Sequence, residues 1–186
     1  FAPASVGNVA VGFDILGFAV NALGDRVTAS VTEAPGVTIT AIRGVAGELP
    51  LNAADNTAGK AVQALLESAQ PNFGVALEIE KGIPLGSGLG GSAASAVAAV
   101  VAANALLPKQ YEKIDLLKFA MQGEAVASGA LHVDNIAPSL FGGLVLTVGI
   151  DDPRVKHIPP PTNVRAVVIH PHMFLATKQA RAILSR

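Results

Sequence analysis

The chain has 186 residues, of which 51% are hydrophobic and 15% charged, and its formal net charge is -1 with no cysteine. This composition excludes a disordered chain, a disulfide framework and a thiolate metal site, and it provides no basic block for a nucleic acid. The longest apolar run, residues 93–107, is shorter than the roughly 20 residues that span a membrane. We therefore expect a globular cytoplasmic protein that binds neither nucleic acid nor membrane.

Both ends of the sequence look cut. The chain begins at Phe1 rather than at a methionine, and it stops at Arg186, shortly after a helix-like segment. No signal peptide is visible at the start, because Asn8 and Asp14 interrupt the apolar residues and no basic residues precede them. We expect a longer protein to continue beyond this segment.

The first elements that the pattern predicts are two strands. Residues 26–34 and 36–44 alternate in polarity and are rich in Val, Ile and Thr, which is typical of half-buried strands. Pro35 and Gly36 lie between them and are turn residues. The pattern therefore predicts a β-hairpin.

Helical and strand-like patterns alternate along the rest of the chain. Apolar residues at helical spacing follow Asp55 and Asn56, either of which could be the N-cap. In chain order the elements are a helix over 56–70, a strand over 74–82, a helix over 91–107, a helix over 114–129 capped by Asp115, a strand over 142–150, a proline-rich connector over 151–163, a strand over 164–171 and a helix over 176–184. This mixture predicts an α+β fold with helices on one side of a sheet.

The glycine-rich phrase GSGLGGS, residues 86–92, joins a predicted strand to a predicted helix. A Walker A loop is excluded, because no lysine follows Gly91. The dinucleotide fingerprint GxGxxG matches Gly86, Gly88 and Gly91, but Pro84 breaks the join to the strand, and the nearby acidic residues open a helix rather than end the next strand. A plain turn before a buried helix is the simplest alternative.

The longer phrase PLGSGLGGSAA is more specific, and it resembles the phosphate loop of the GHMP kinase family. Glycines let backbone N–H groups face phosphate oxygens, and the start of a helix adds free N–H groups and the positive end of the helix dipole. The resemblance implies that ATP phosphates are bound by Pro84, Leu85, Gly86, Ser87, Gly88, Leu89, Gly90, Gly91, Ser92, Ala93 and Ala94.

One position departs from the family pattern. Gly91 stands where most members carry a serine, which removes a hydroxyl but keeps the backbone N–H. We expect the loop still to bind phosphate, with Ser87 as a nearby hydroxyl. Asn56 matches a family position near the adenine, although an N-cap explains it equally well.

The first segment of the chain resembles the homoserine-phosphorylating members of this family. The motif N-x-x-V-G-F-D, which there supplies substrate contacts, is present at residues 8–14. It implies that Asn8 and Asp14 bind the substrate. A buried aspartate among apolar residues needs a partner, and a substrate ammonium group would be one; a turn residue that caps a helix is the alternative for Asp14.

A later segment, GEAVASGALHVDNIAP, resembles the same members. It implies that Glu124 and Ser92 hold Mg²⁺, an ion that prefers a few protein oxygens shared with phosphates; on its own, Glu124 would be part of a solvated helix face. His132 and Asn135 would orient the substrate. Asp134 corresponds to the general base of other members, whereas homoserine-phosphorylating members are often viewed as lacking a base.

The last segment, TKQARAIL, resembles the family pattern T-x-x-A-R-x-x-L. It implies that Arg181 binds the substrate carboxylate through its planar guanidinium; alone, Arg181 would be an ordinary surface arginine. His170 and His172 have no third ligand nearby in the sequence, so we expect no metal there. His157, in the connector, is predicted to be exposed.

Together these resemblances imply ATP- and Mg²⁺-dependent phosphorylation of the side-chain hydroxyl of L-homoserine, on the route to threonine. They imply an ATP-binding domain over 1–162, similar to the second domain of ribosomal protein S5, followed by the beginning of a ferredoxin-like C-terminal domain over 163–186. A homodimer is a further family expectation. The alternatives are a mevalonate-type member of the family and a non-catalytic binding protein, which should have lost Glu124 or Ser92.

Overall fold

The structure, a computed structural model, describes residues 1–45, 48–129 and 131–169. These residues form an α+β fold, as the sequence predicts. The elements in chain order are β1 (Ala2–Val6), β2 (Leu16–Thr32), β3 (Val37–Gly44), a 3₁₀ turn (Ala53–Asp55), α1 (Thr57–Ala69), β4 (Gly74–Lys81), α2 (Gly91–Asn104), α3 (Lys113–Ser128), α4 (Ile136–Phe141), β5 (Leu144–Val148) and β6 (Arg154–Ile158).

The described strands form one mixed sheet in the order β3-β4-β2-β5-β6, and β1 also pairs with β2. Only β3 and β4 are parallel among the described pairs. β2 has 17 residues; its first part pairs with β1 and β5, and its second part pairs with β4 from Arg26 opposite Glu80 to Thr32 opposite Gly74. β2 therefore connects the two halves of the sheet.

The predicted β-hairpin is wrong, although both of its strands exist. β4 lies between β2 and β3, antiparallel to the first and parallel to the second. Val75, Leu77 and Ile79 of β4 are buried, and a strand with such an apolar face is stabilised more in the middle of a sheet than at an edge. The turn after β2 contacts β4, since the carbonyl of Gly36 accepts a hydrogen bond from the backbone N–H of Val75 at 2.8 Å.

Two helix ends differ from their predictions. Asp115 does not cap α3: the N-cap residue is Glu112, and Asp115 lies in the first turn, where its charge still complements the helix dipole. α2 ends at Asn104 rather than at residue 107. The reason is that the side chain of Asn104 bonds both backbone groups of Tyr111, at 2.8 and 3.1 Å, and so closes a loop there.

The second half of the chain also departs from its pattern. The proline-rich connector contains β6, which pairs with β5 and is the last described strand. Residues 164–169 form no strand, and Val167 and Ile169 are both 84% exposed. A run of β-branched residues therefore does not form a strand unless a neighbouring strand or a core accepts it. Residues 170–171 of this predicted strand and the predicted helix over 176–184 lie outside the described residues.

α2 lies at the centre of the domain. It consists almost entirely of alanine and valine and is buried on nearly all sides, which is typical of a helix within a core. It contacts α1, α3 and α4 as well as β1, β2 and β4. None of the helices in the described ranges has the length and apolarity that crossing a membrane requires.

A glycine allows α3 to approach α1 closely. A Cβ atom at Gly123 would lie 2.3 Å from the carbonyl oxygen of Thr57 and 2.8 Å from the Cβ atom of Ala61. The two helices would have to separate to accept any side chain there. Since the same helix carries Glu124, this contact also determines where that carboxylate lies.

We expect Gly123→Ala to lower the free energy of unfolding by about 1–3 kcal/mol, the usual cost of overpacking. This sign is opposite to the gain of about 1 kcal/mol that alanine normally gives over glycine inside a helix. Urea denaturation would measure the change, with Gln122→Ala, an exposed position on the same helix, as the control. A more stable Gly123→Ala variant would contradict the close α1–α3 contact.

Candidate active site

The loop between β4 and α2 requires its glycines. Gly86, Gly88 and Gly90 have φ angles of 66, 72 and 65°, in the left-handed region that other residues rarely adopt. Gly90 is the N-cap residue of α2, and no side-chain hydrogen bond caps the helix at this position. The backbone N–H groups of the first turn are therefore suited to an anion.

Ser5 connects this loop to the start of α4. Its backbone N–H donates to the carbonyl of Leu89 at 3.0 Å, and its hydroxyl lies 3.0 Å from both the carbonyl and the Oδ1 atom of Asn135. A Cβ atom at Gly90 would lie 2.4 Å from the Ser5 hydroxyl. The loop, β1 and Asn135 are therefore packed together without room for a side chain at residue 90.

The predicted metal ligands lie next to each other. The Ser92 hydroxyl, in the first turn of α2, donates to Oε1 of Glu124 on α3 at 2.9 Å. The Oε2 atom of Glu124 is inaccessible to solvent, so this residue is not part of a solvated helix face. The pKa of Glu124 is raised to about 7 in all: burial raises it most, the Ser92 hydrogen bond lowers it, the charge of Asp134 raises it and the charge of Lys81 lowers it.

A second group of polar residues gathers next to Asn135. One ligand atom each of Asp14, His132 and Asp134 lies within 4.8 Å of the other two, and Nδ1 of His132 is 3.8 Å from Oδ1 of Asp14. Asp134 is buried, and a Cβ atom at Gly7 would lie 2.0 Å from its Oδ2 atom. This group can bind a cationic ligand such as an ammonium group, because two of its three members are carboxylates.

The segment that carries Asp14 has an unusual backbone. Asn8, Ala10 and Asp14 have φ angles of 54, 49 and 61°, and each such non-glycine residue costs about 1–3 kcal/mol. The Oδ1 atom of Asn8 accepts a hydrogen bond from the backbone N–H of Asp14 at 2.9 Å, which closes the segment. Asp14 lies in a turn, but β2 rather than a helix follows it, so it is not a helix cap.

Asn56 is the N-cap of α1 and also lines a cavity. Its Oδ1 atom accepts from the backbone N–H groups of Ala58 and Gly59 at 3.0 and 3.5 Å, and its Nδ2 atom donates to the carbonyl of Pro50 at 2.9 Å. The cavity has a volume of about 270 Å³ and is lined by Leu49, Pro50, Asp55, Asn56, Thr57, Ile79, Lys81, Leu85, Ser92, Ser95, Val126 and Ala127. Its lining is largely apolar and includes Ser92 at the start of α2, so a flat base could lie there with its phosphates towards α2.

Arg181, His170 and His172 lie outside the described residues. His157 is on β6 and is exposed, as predicted. Three buried polar residues near the loop, Asp25, Lys81 and Ser95, were not singled out from the sequence. The signal for two of them is alternation: Asp25 and Lys81 occupy positions of the apolar, inward-facing series of their strands.

Comparison with known proteins agrees with this geometry. The family model described as the GHMP kinases N terminal domain matches residues 56–143. The homoserine kinase of Xanthomonas campestris pv. campestris (strain B100) is 50% identical over 185 residues, which are 100% of this chain and 56% of that protein. The homoserine kinase of Xylella fastidiosa (strain M12) is 49% identical over 184 residues, 99% of this chain and 56% of that protein.

A solved structure gives the same result. The crystal structure of homoserine kinase from Cytophaga hutchinsonii superposes with a TM-score of 0.93 at 48% identity, covering 100% of this chain and 59% of that chain. This chain thus spans a little more than half the length of the relatives that it matches. The matched range of this chain, 56–143, includes the glycine-rich loop, Glu124 and Asp134. The chain therefore matches the N-terminal domain of the GHMP kinases over residues 56–143, and over its whole length it is similar to homoserine kinases.

Proposed function

We propose that the protein containing this chain transfers the γ-phosphoryl group of ATP to the side-chain hydroxyl of L-homoserine and forms O-phosphohomoserine, on the route to threonine. The observation that carries the proposal is the Ser92–Glu124 pair at the start of α2, close to the group formed by Asp14, His132 and Asp134. The first pair suits a metal–phosphate complex, and the second group suits an amino acid. The names of the similar proteins agree with this substrate.

The nucleotide half of the site would use the loop and α2. Backbone N–H groups from Gly86 to Ala94 would surround the phosphates, and the cavity beside Asn56 would accept the base. Ser92 and Glu124 fit Mg²⁺, because a hydroxyl and a shielded carboxylate are hard oxygen donors that leave further positions for phosphate oxygens. Bound there, the ion would neutralise phosphate charge during transfer.

The amino-acid half would use the segment from Asn8 to Asp14 together with His132. The Asp14 carboxylate would pair with the substrate ammonium group, and Asn8 holds the backbone of Asp14 in place. Asn135 lies between the two halves, because it contacts Ser5 beside the phosphate loop. Arg181 would bind the substrate carboxylate, as the sequence resemblance implies.

The finer architecture is also a proposal. Residues 1–162 would be an ATP-binding domain similar to the second domain of ribosomal protein S5, and residues 163–186 would begin a ferredoxin-like domain. A homodimer and a cytoplasmic location stay predictions from the family resemblance and from composition. The match of the family model to residues 56–143 supports the first domain only.

The proposed reaction can be tested by ADP release from the full-length protein with ATP and Mg²⁺. L-homoserine, mevalonate, galactose and L-serine would be compared as acceptors. We expect turnover with L-homoserine to exceed that with the other three, because Asp14 and Arg181 suit an α-amino acid and L-serine is one methylene shorter. Faster turnover with mevalonate or galactose would keep the phosphate site and contradict the proposed substrate.

Asp134 is the candidate for accepting the hydroxyl proton, since it lies beside Asp14 and His132 and its charge acts on Glu124. If the γ-phosphate receives the proton instead, Asp134→Asn keeps the shape of the site and should lower kcat without abolishing turnover. We expect this intermediate result. Complete loss of turnover in a variant with an unchanged circular dichroism spectrum would show that Asp134 is an essential base.

The raised pKa of Glu124 predicts a pH-dependent stability in the absence of Mg²⁺. The folded-state pKa, about 7, lies above the ordinary value of 4.5. The contribution of Glu124 to the free energy of unfolding is therefore complete below pH 4.5 and is lost as pH rises to about 7. The loss is at most about 1.4 kcal/mol per pH unit. Urea denaturation at pH 5, 6, 7 and 8 would compare the protein with Glu124→Gln. We expect the difference in free energy of unfolding between the unmodified protein and this variant to shrink with rising pH and then level off. A difference that stays constant with pH would contradict the raised pKa of Glu124.

A further inference from the structure

Two opposite charges face the core at the point where the phosphate loop leaves the sheet. On β4, buried Leu77 and Ile79 are followed in the same alternation by Lys81, which is 3% exposed. On β2, Asp25 shares the inward face of Val27 and is fully buried. The register that places Arg26 opposite Glu80 continues to place Asp25 opposite Lys81, so the two form a cross-strand ion pair.

The Asp25 carboxylate holds the beginning of the loop. Its Oδ1 atom accepts hydrogen bonds from the backbone N–H groups of Gly82 and Ile83, at 3.0 and 3.2 Å. These are the two residues that lead into the loop after β4. Its Oδ2 atom pairs with Lys81 and accepts a hydrogen bond from the Ser95 hydroxyl at 2.6 Å. One carboxylate therefore contacts both the start of the loop and the helix that follows it.

Lys81 holds the other end of the loop. Its ammonium group donates to the carbonyl of Gly91 at 2.7 Å and to the Ser95 hydroxyl at 2.8 Å, in addition to Asp25. Gly91 and Ser95 are four residues apart and so lie on one face of α2. An ammonium group has three N–H donors, and all three are used within the protein. Lys81 also lines the proposed nucleotide cavity, but its donors are directed to Asp25 and to α2.

We propose that Asp25, Lys81 and Ser95 form a loop clamp, a buried set of positioning residues that fixes both ends of the phosphate loop and thereby sets nucleotide affinity. This role rests on the proposed function, because it takes the loop to bind ATP phosphates. Gly86, Gly88 and Gly90 lie between the fixed ends. In an untethered loop, their conformational entropy would be lost when the nucleotide binds. Preorganisation removes that cost before the nucleotide arrives.

A purely stabilising role explains the loop clamp less well. Buried ion pairs often contribute little to stability, because desolvation offsets the attraction, and apolar residues of similar volume can replace them. Here the pair occupies positions that apolar residues fill elsewhere on the same two strands. Its contacts beyond the pair go to the two ends of one loop. The charge of Lys81 also acts on Glu124, the proposed metal ligand, whose pKa it lowers against the effect of burial.

The deciding variant is Ser95→Ala in the full-length protein. It removes one hydroxyl that links Asp25 to Lys81 while leaving the ion pair itself in place. Ser139→Ala is the matched control: Ser139 is also a buried helical serine, and its hydroxyl donates to the carbonyl of Pro3 at 2.8 Å, away from the loop. The dissociation constant of Mg²⁺-ADP would be measured by calorimetry, alongside KM for ATP and for L-homoserine.

We expect Ser95→Ala to raise the dissociation constant of Mg²⁺-ADP and KM for ATP at least about tenfold, because it removes the hydroxyl that accepts from Lys81 and donates to Asp25. KM for L-homoserine should stay within about twofold of the unmodified protein, since the contacts that orient the amino acid are untouched. Ser139→Ala should change none of these three quantities by more than about twofold.

A second variant, Asp25→Asn with Lys81→Met, removes both charges together so that neither is left unpaired in the core. We expect weaker Mg²⁺-ADP binding than in Ser95→Ala, because the loop start and the helix start are both released. Lys81 and Ser95 line the nucleotide cavity but Asp25 does not, so the single variant Asp25→Asn should also weaken binding if the effect passes through the loop. If the double variant fails to fold, Ser95→Ala and Asp25→Asn together decide.

The outcomes separate this role from the proposed function. An unmodified protein that binds no Mg²⁺-ADP would overturn both. Normal binding by the unmodified protein together with unchanged binding by folded Ser95→Ala would overturn the loop clamp and leave the proposed function standing. An equal rise of KM for both substrates, matched by Ser139→Ala, would show a general packing effect and would also overturn the loop clamp.

Discussion

The position of the first turn of α2 is the constraint on which the rest of the structure depends. α2 is surrounded by helices on one side and strands on the other, and its small side chains let these neighbours approach closely. Lys81 fixes the start of α2 by donating a hydrogen bond to the carbonyl of Gly91. Because Ser92 follows directly, the same turn that presents backbone N–H groups also places a hydroxyl against Glu124. The proposed anion site and the proposed metal site therefore share one helix end.

Several charges are buried around this helix end, and each of them is accommodated by a specific contact. Asp25 and Lys81 neutralise each other and use their remaining hydrogen-bonding capacity on the loop. The carboxylate of Glu124 lies among neighbours that shield it, and its pKa rises to about 7 as a result. Such a group is poised to gain a cation, because a divalent ion would compensate the charge that burial disfavours. The charge state of the site thus depends on how deeply the fold buries its carboxylates.

The sequence predicted the position of the glycine-rich loop and most helices well, because these depend on neighbouring residues. Left-handed φ angles favour glycine at residues 86, 88 and 90, and an alanine-rich run favours a helix. The prediction of a β-hairpin failed, because β4 lies between β2 and β3. That position depends on which strand has the most apolar surface to bury. The predicted strand over 164–171 failed in its described part, 164–169, because none of the described strands pairs with it and its β-branched residues remain exposed.

The site residues divide in the same way. By itself the sequence determined the residue types and their motifs, from Asn8 and Asp14 to Glu124 and Asp134, because a chemical role needs a particular side chain and a loop needs particular backbone angles. Only the tertiary structure decided which of these side chains meet: Asp14 reaches His132 and Asp134, and Asp25 reaches Lys81 and Ser95. The physical reason is that local preferences act over a few residues, whereas these contacts join distant parts of the chain and exist only once the sheet and α2 are packed together.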